Sequence, residues 1–112
     1  MIHETGTVPR YTIYLGLKDK DRMQQLVSTE EFVALVANTC ASKRLGFSLD
    51  TEKGGYLMEN GTFVVEDSLA LSFVGAEKEQ ILTLAEELRV RLNQETVLVA
   101  EESPSFFILG AK

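Results

Sequence analysis

A chain of 112 residues with 45% hydrophobic and 25% charged residues has the size and composition of one ordinary globular domain. Its 11 Lys and Arg stand against 17 Asp and Glu, a formal net charge of -6. Because nucleic acids and anionic membranes are bound through clustered cations, this balance argues against both as partners. No apolar run approaches a membrane span, no secretory signal opens the chain, and the single cysteine cannot form an internal disulfide. We therefore expect a soluble cytoplasmic protein.

The first elements follow from hydrophobic periodicity. We interpret residues 1–9 as a tail or as the approach to a strand, and residues 10–112 as a single α+β domain. Alternation of apolar residues with polar or small ones predicts a first strand with one apolar face, formed by Tyr11, Ile13, Leu15 and Leu17. Residues 18–27 are polar and are predicted to form a loop.

The first helix has a clear start signal. Ser28-Thr29-Glu30-Glu31 matches a capping box, in which Ser28 accepts a hydrogen bond from the Glu31 amide. Gly46 is expected to end the helix in the left-handed conformation that other residues resist. Apolar or small residues recur between them at helical spacing, at Phe32, Leu35, Val36, Thr39 and Cys40.

A long hairpin is predicted in the middle of the chain. Asn60-Gly61 lies between alternating runs at 47–58 and 63–73, and this dipeptide favours a type I′ turn because both central positions need positive φ. The paired glycines Gly54-Gly55 suggest a bulge or a bend in the first arm. Asp67 interrupts the apolar row of the second arm, so either that strand is bulged at 66–68 or Asp67 lies beyond the covered core.

The rest of the chain completes a recognisable order. A second helix is predicted from about 77 to 93, a strand at 96–100 and a short last strand at 106–109. The helix carries one apolar stripe, formed by Ile81, Leu84, Ala85, Leu88 and Leu92. Strand, helix, strand, strand, helix, strand is the ferredoxin-like βαββαβ order, with two helices on one face of an antiparallel sheet.

The other face of this sheet is mixed rather than fully polar. It is predicted to carry Tyr14, Val64, Glu66 and Ala70, beside a fourth strand that is apolar on both sides. Such a face suggests cover by a second subunit or by a ligand. We expect a homodimer that covers this open sheet face, with Tyr14 in the contact, because an amphipathic ring suits an interface.

Several short segments occur in an order typical of one group of proteins. They are IYLGL at 13–17, VSTEEF at 27–32, GFSLD at 46–50, ENGT at 59–62, EDS at 66–68 and NQETVL at 93–98. On these segments, over roughly residues 11–107, the chain resembles a bacterial family of small uncharacterised proteins, a domain of unknown function. This chain has Gly55-Tyr56 where that family is expected to have Gly-x-Trp. The resemblance implies a ferredoxin-like fold and no known catalytic residues.

Few residues carry obvious chemistry. His3 is the only histidine and Cys40 falls on an apolar helical stripe, so we expect no metal site and no bound cofactor. Gln94-Glu95-Thr96 is interpreted as the end of the second helix, with a polar contact at the sheet edge as the alternative. The candidate binding residues are Tyr14, Glu66 and Asp67. No catalytic residue is identified.

Three functions remain open from the sequence, one of which is a purely structural partner for another protein. The first is a non-enzymatic binding or regulatory module that acts as a homo-oligomer, which explains the mixed sheet face and the lack of a catalytic constellation. The alternative is a small dimeric α+β-barrel enzyme that acts on a small, largely apolar substrate or cofactor, with Asp67 and Tyr14 as its candidate residues.

Overall fold

The computed structural model describes residues 2–57 and 59–111. The elements along this part of the chain are β1 (Ile2–Thr7), β2 (Arg10–Gly16), α1 (Thr29–Ser42), β3 (Ser48–Leu57), β4 (Phe63–Val74), α2 (Lys78–Arg91), β5 (Leu98–Glu102) and β6 (Ser105–Leu109). Four strands form an antiparallel sheet in the order β3-β4-β2-β5, and β1 pairs with β6 in a separate ribbon. The predicted ferredoxin-like α+β fold is confirmed. No helix in the described ranges is long and apolar enough to cross a membrane.

The core lies between the two helices and one face of the sheet. The alternating apolar row of β2 is fully buried there, as are Leu69, Leu71 and Phe73 of β4. Both predicted helical stripes contribute, with Val36 and Leu88 fully buried at their centres. The period-2 and period-3.6 patterns thus identified the buried faces correctly.

The first helix begins where predicted but ends at a different residue. Ser28 caps α1 as predicted, with its hydroxyl accepting from the Glu31 amide at 3.2 Å. The prediction that Gly46 ends the helix is wrong, because Arg44 takes the left-handed conformation with φ 57°. The Leu45 amide then reaches back to the Cys40 carbonyl at 3.0 Å, which completes a Schellman motif two residues before Gly46.

The second helix ends in the same motif. Asn93 has φ 50°, and the Gln94 amide donates to the Arg89 carbonyl at 2.9 Å. Asn tolerates this conformation better than most residues. The motif turns the chain back towards the sheet and leaves the Gln94 side chain at the end of β2.

The hairpin turn lies where predicted, but its type differs from the prediction. Leu57 pairs with Phe63, so five residues connect the strands, of which Met58 lies outside the described residues. Gly61 has φ +87° and Asn60 does not have positive φ, so the type I′ prediction is wrong. Instead the Asn60 side chain accepts from the Thr62 amide at 2.9 Å, the local turn that short polar side chains favour.

The predicted bulge at Gly54-Gly55 is also wrong. The pairing of β3 with β4 is unbroken from Ser48 opposite Ser72 to the last pair of the hairpin. A Cβ at Gly55 would lie 2.9 Å from the Cζ atom of Phe63, so the glycine makes room for that aromatic ring. β4 shows no bulge at 66–68 either, and Asp67 lies beyond the covered core.

The two ends of the chain form a ribbon. Of the two interpretations of residues 1–9, the structure shows a strand, β1, paired with the predicted last strand β6. Pro9 and Pro104 mark the points where the chain leaves the four-stranded sheet, and the Val8 amide donates to the Pro104 carbonyl at 3.4 Å. The ribbon continues the β2–β5 pair outwards, and the described chain measures 55 × 30 × 25 Å. The division into residues 1–9 and 10–112 stays a prediction.

Candidate functional site

A cleft opens at the end of β2 that lies away from the ribbon. Its volume is about 510 Å³, and it is bounded by the end of β2, the middle of β4, the loop after β2 and the segment after α2. The lining residues are Gly16, Lys18, Lys20, Met23, Glu66, Gln94, Glu95 and Thr96. The fold therefore collects polar side chains from three separate stretches of sequence at one place.

Two oxygen acceptors converge above Gly16. A Cβ built on this glycine would lie 2.8 Å from Glu66 Oε1 and 3.0 Å from Gln94 Oε1. Both oxygens therefore face the space that a side chain at position 16 would fill. No hydrogen-bond donor among the described residues is paired with either oxygen, so both remain available to a bound group.

Gln94 is held rigidly in this arrangement. The residue is 7% exposed, and its Nε2 donates to the Lys18 carbonyl at 2.7 Å and to the Leu92 carbonyl at 3.3 Å. Because Nε2 donates to two carbonyls, the orientation of the amide plane is fixed, and Oε1 faces Gly16. An acceptor fixed in this way needs little reorganisation when it meets a donor or a cation.

The loop that follows β2 is also well ordered by hydrogen bonds. Asp19 Oδ1 accepts from the amides of Asp21 and Arg22, and Asn93 Nδ2 donates to Asp19 Oδ2 at 2.8 Å. These bonds, with that from Asn93 first, lower the pKa of Asp19 from its usual value. Met23 is placed at the cleft by a left-handed backbone, and its exposed thioether gives the cleft an apolar wall.

The structure separates the three candidate residues named from the sequence. Glu66 lines the cleft. Asp67 projects to the other face, where it pairs with Lys53 at 2.7 Å and accepts from the Thr29 hydroxyl at 3.2 Å. The Lys53 ammonium, followed by the Thr29 hydroxyl, lowers the pKa of Asp67. These contacts give Asp67 a structural role at the start of α1.

Tyr14 lies on the open sheet face, as predicted from the alternation of β2. It is 39% exposed and its neighbours across the sheet are Ala70 and Leu98. Asp67 follows the helix-side row, so Tyr14 and Asp67 lie on opposite faces of the sheet. The enzyme alternative, in which these two residues form one site, is therefore not supported in that form.

Sequence reasoning gave too little weight to Gln94. The sequence predicts mainly a helix end at this residue, with a polar contact at the sheet edge as the alternative. The structure places Gln94 directly after the helix end, and its side chain bonds the Lys18 carbonyl beyond the end of β2, a central strand of the sheet. The signal was local, because a glutamine directly after a helix-ending Asn93 has its side chain near the strand that follows. The role of Gly16 had no such signal, since its importance depends on two residues from distant parts of the chain.

Among the described residues, the thiol of Cys40 and the possible metal ligands do not form a second site. Cys40 is fully buried, and burial raises the pKa of its thiol above the usual value. Across residues 2–57 and 59–111, no three His, Cys, Asp or Glu side chains are grouped so that they could hold a metal ion. The cleft beside Gly16 is thus the site with the most developed geometry.

Comparison with solved structures agrees with the fold. A phage SAM lyase in complex with S-methyl-5'-thioadenosine is similar at a TM-score of 0.68 and 21% identity, with 96% of this chain and 94% of that chain covered. The same name is carried by an apo structure with a TM-score of 0.66 and 22% identity, covering 94% of this chain and 91% of that one. CutA from Synechococcus elongatus PCC7942 is similar at a TM-score of 0.59 and 18% identity, with 93% of this chain and 82% of that chain covered.

These likenesses show a shared fold. No family model and no curated protein matches the chain, so the resemblance to a domain of unknown function stays a prediction.

Proposed function

We propose that this protein is a homo-oligomeric small-molecule-binding protein whose ligand lies in the cleft beside Gly16. The observation that carries the proposal is a pair of oxygen acceptors, Glu66 Oε1 and Gln94 Oε1, that face the same space above Gly16 and are paired with no donor among the described residues. A carboxylate and an amide oxygen, with no donor between them, attract a cation or a group rich in hydrogen-bond donors. The ligand class is therefore a small molecule with a positive centre.

The rest of the cleft restricts the ligand further. Met23 offers an apolar surface to an adjoining ring or hydrocarbon. Lys18 and Lys20 lie on the same lining and can meet an anionic group on the other side of the molecule. A ligand with a cationic centre, an apolar part and a carboxylate fits this combination, and S-adenosylmethionine is one such molecule. It is also the substrate named by the structurally similar phage SAM lyase.

Binding is tested by calorimetric titration of the purified protein with S-adenosylmethionine. Glu66→Gln removes the charge but keeps the shape, and Gly16→Ala fills the space between the two oxygens. Both are expected to weaken binding at least tenfold. The matched control is Glu52→Gln, on the exposed part of the neighbouring strand β3, which should leave affinity unchanged. A wild-type protein that does not bind at millimolar ligand would rule out this ligand.

A second candidate function is cleavage of the same molecule, which keeps the enzyme alternative open at a different site. Among the described residues, no cationic group is paired with the Glu66 carboxylate, which would face a sulfonium directly. Breaking the bond from sulfur to Cγ leaves the electron pair on sulfur and releases S-methyl-5'-thioadenosine, while the substrate's own carboxylate closes onto Cγ. Chromatography of an incubated mixture decides between the two functions. Release of the thioether supports the enzyme, and unchanged S-adenosylmethionine with retained binding supports the binding module.

The homo-oligomer is the second part of the proposal. The open sheet face is one possible contact, with Tyr14 and Leu98 as its exposed apolar side chains. Its centre is already covered within one copy, since Thr12 and Ala70 are buried and the Thr12 hydroxyl is bonded to Ser72 at 3.0 Å. The contact through Tyr14 therefore stays a hypothesis, and its test is whether Tyr14→Glu shifts the protein towards monomer in light scattering.

A further inference from the structure

The pair Asn60-Gly61 at the tip of the central hairpin takes no part in the cleft. Both residues are exposed, in the connection between β3 and β4. The type I′ turn that would require this dipeptide is not formed, because Asn60 does not have positive φ. The backbone of the turn therefore accounts for Gly61, which has φ +87°, and leaves the role of Asn60 to its side chain.

An asparagine that precedes a glycine can modify itself. The backbone nitrogen of the following residue attacks the carbonyl carbon of the asparagine side chain, Cγ, and a five-membered succinimide ring forms as ammonia leaves. A side chain on the following residue crowds this attack, and glycine has no Cβ. Asparagine is accordingly counted among the thermolabile residues of proteins.

The nitrogen of Gly61 is free to react in the folded protein. Its N–H forms no hydrogen bond with any described residue, so no acceptor has to be given up before the attack. A Cβ built on Gly61 would meet no atom within 4 Å, and the space beside this residue is therefore empty. The nucleophile is thus available without local unfolding of the hairpin.

The turn also orients and polarises the carbonyl group of Asn60. The Thr62 amide donates to Asn60 Oδ1 at 2.9 Å, which folds the side chain forwards over the peptide that contains the Gly61 nitrogen. Oδ1 is the atom on which negative charge develops when this nitrogen attacks Cγ. A donor that is already in place at such an oxygen stabilises the tetrahedral intermediate, as in an oxyanion hole. The turn therefore favours the attack.

We propose that Asn60 is a site of self-modification, which reacts with Gly61 in the folded protein to form a succinimide. The bond from the Gly61 nitrogen to Asn60 Cγ forms, and the bond from Cγ to Nδ2 breaks. The proton of the Gly61 amide ends on the ammonia that leaves, and water then opens the ring. This inference goes beyond the proposed function and depends on neither the cleft nor the homo-oligomer.

Ring opening gives two products. Water at Cγ restores the ordinary backbone and leaves an aspartate, whereas water at the backbone carbonyl leaves an isoaspartate, whose chain runs through Cβ and Cγ. Either product adds one negative charge to the formal net charge of -6. The aspartate form keeps an acceptor for the Thr62 amide, but the isoaspartate lengthens the connection between Leu57 and Phe63 by one carbon atom.

The new charge lies close to an exposed apolar pair. Leu57 and Phe63, the last pair of the hairpin, are 68% and 65% exposed. A carboxylate near them opposes association of this surface, because burial would remove water from the charge. Freshly made protein and aged protein are therefore expected to differ at this end of the molecule.

The test is incubation of the whole protein at mildly alkaline pH and body temperature, followed by digestion and mass spectrometry. Loss of ammonia and gain of water make the peptide that contains Asn60 about 1 Da heavier, and chromatography separates its two forms. Asn38 in α1 and Asn93 after α2 are internal controls, since each is followed by a residue with a side chain. Asn60 should convert at least ten times faster than either control.

Two comparisons separate the dipeptide from the turn. Gly61→Ala adds a methyl group beside the attacking nitrogen and should slow conversion at least tenfold, with its fold checked by circular dichroism. A synthetic peptide of residues 56–65 contains the same dipeptide without the folded hairpin, and it remains informative even if Gly61→Ala does not fold. The whole protein should convert at least as fast as this peptide, because the Thr62 amide assists the attack.

Three results would overturn the proposal. If the folded protein converts more slowly than the peptide, the turn protects Asn60. If Asn60 converts no faster than Asn38 and Asn93, or if Gly61→Ala leaves its rate unchanged, the dipeptide is not the site. None of these results bears on ligand binding in the cleft or on light scattering of the oligomer, so failure here is distinguishable from failure of the proposed function.

Discussion

Removal of the Gln94 side chain is expected both to destabilise the protein and to make the loop that borders the cleft more mobile. In the Gln94→Ala variant, the Lys18 and Leu92 carbonyls lose the Nε2 donor that joins the loop after β2 to the end of α2. Each hydrogen bond contributes about 0.5–1.5 kcal/mol. The lost buried methylene adds about 0.8 kcal/mol. The free energy of unfolding should therefore fall by about 2–4 kcal/mol.

The assay is urea denaturation followed by circular dichroism, combined with amide hydrogen exchange. The Lys20 amide, which donates to the Asn93 carbonyl at 3.0 Å, should exchange faster in the variant because the loop loses one of its anchors. Glu95→Ala is the matched control, since Glu95 lines the same cleft but is exposed. It should change the free energy of unfolding by no more than about 0.5 kcal/mol.

Two results would refute this reasoning. If the free energy of unfolding of Gln94→Ala lies within about 0.5 kcal/mol of the wild-type value, water replaces the amide as the hydrogen-bond donor to the two carbonyls without a loss of stability. Equal effects of Gln94→Ala and Glu95→Ala would mean that the position is not a specific anchor. Because the protein is proposed to be an oligomer, each denaturation curve is repeated at two protein concentrations.

Three further predictions concern the fold. Leu88→Ala should lower the free energy of unfolding by about 2–5 kcal/mol, because it removes buried surface and leaves a cavity, whereas Val90→Lys, on the exposed side of the same helix, should be tolerated. If chemical denaturation shows a change of less than about 0.5 kcal/mol for Leu88→Ala, the apolar stripe of this helix is not part of the core. Arg44→Gly should stabilise the protein by several tenths of a kcal/mol up to about 1 kcal/mol, since glycine adopts the left-handed conformation at that helix end without strain, and a lower melting temperature would contradict this. Asp67 has a pKa lowered by Lys53, so its ionised form stabilises the fold at pH values above its unfolded pKa of about 4, and this contribution is lost as the pH falls through that value towards the folded pKa. The stability difference between wild type and Asp67→Asn should therefore shrink from pH 7 to pH 3 in urea titrations, and a difference that stays constant would argue against the ion pair.

The sequence by itself determined the elements and their buried faces. The row of β2, the stripes of α1 and α2 and the position of the hairpin were all readable because hydrophobic period and turn residues are local properties. Ser28 capped its helix for the same reason, since its partner is three residues away. The exposed position of Tyr14 followed from alternation alone.

Only the tertiary structure decided where these elements meet. Gly55 was open to a bulge until the ring of Phe63 was placed against it, and β6 found its partner in a strand about a hundred residues earlier in the chain. The cleft depends on the same kind of contact, because Gly16, Glu66 and Gln94 are joined by strand register and by the turn after α2. Contacts between residues that are distant in the chain produce no periodic pattern in the sequence. The site could therefore be located only from the folded structure.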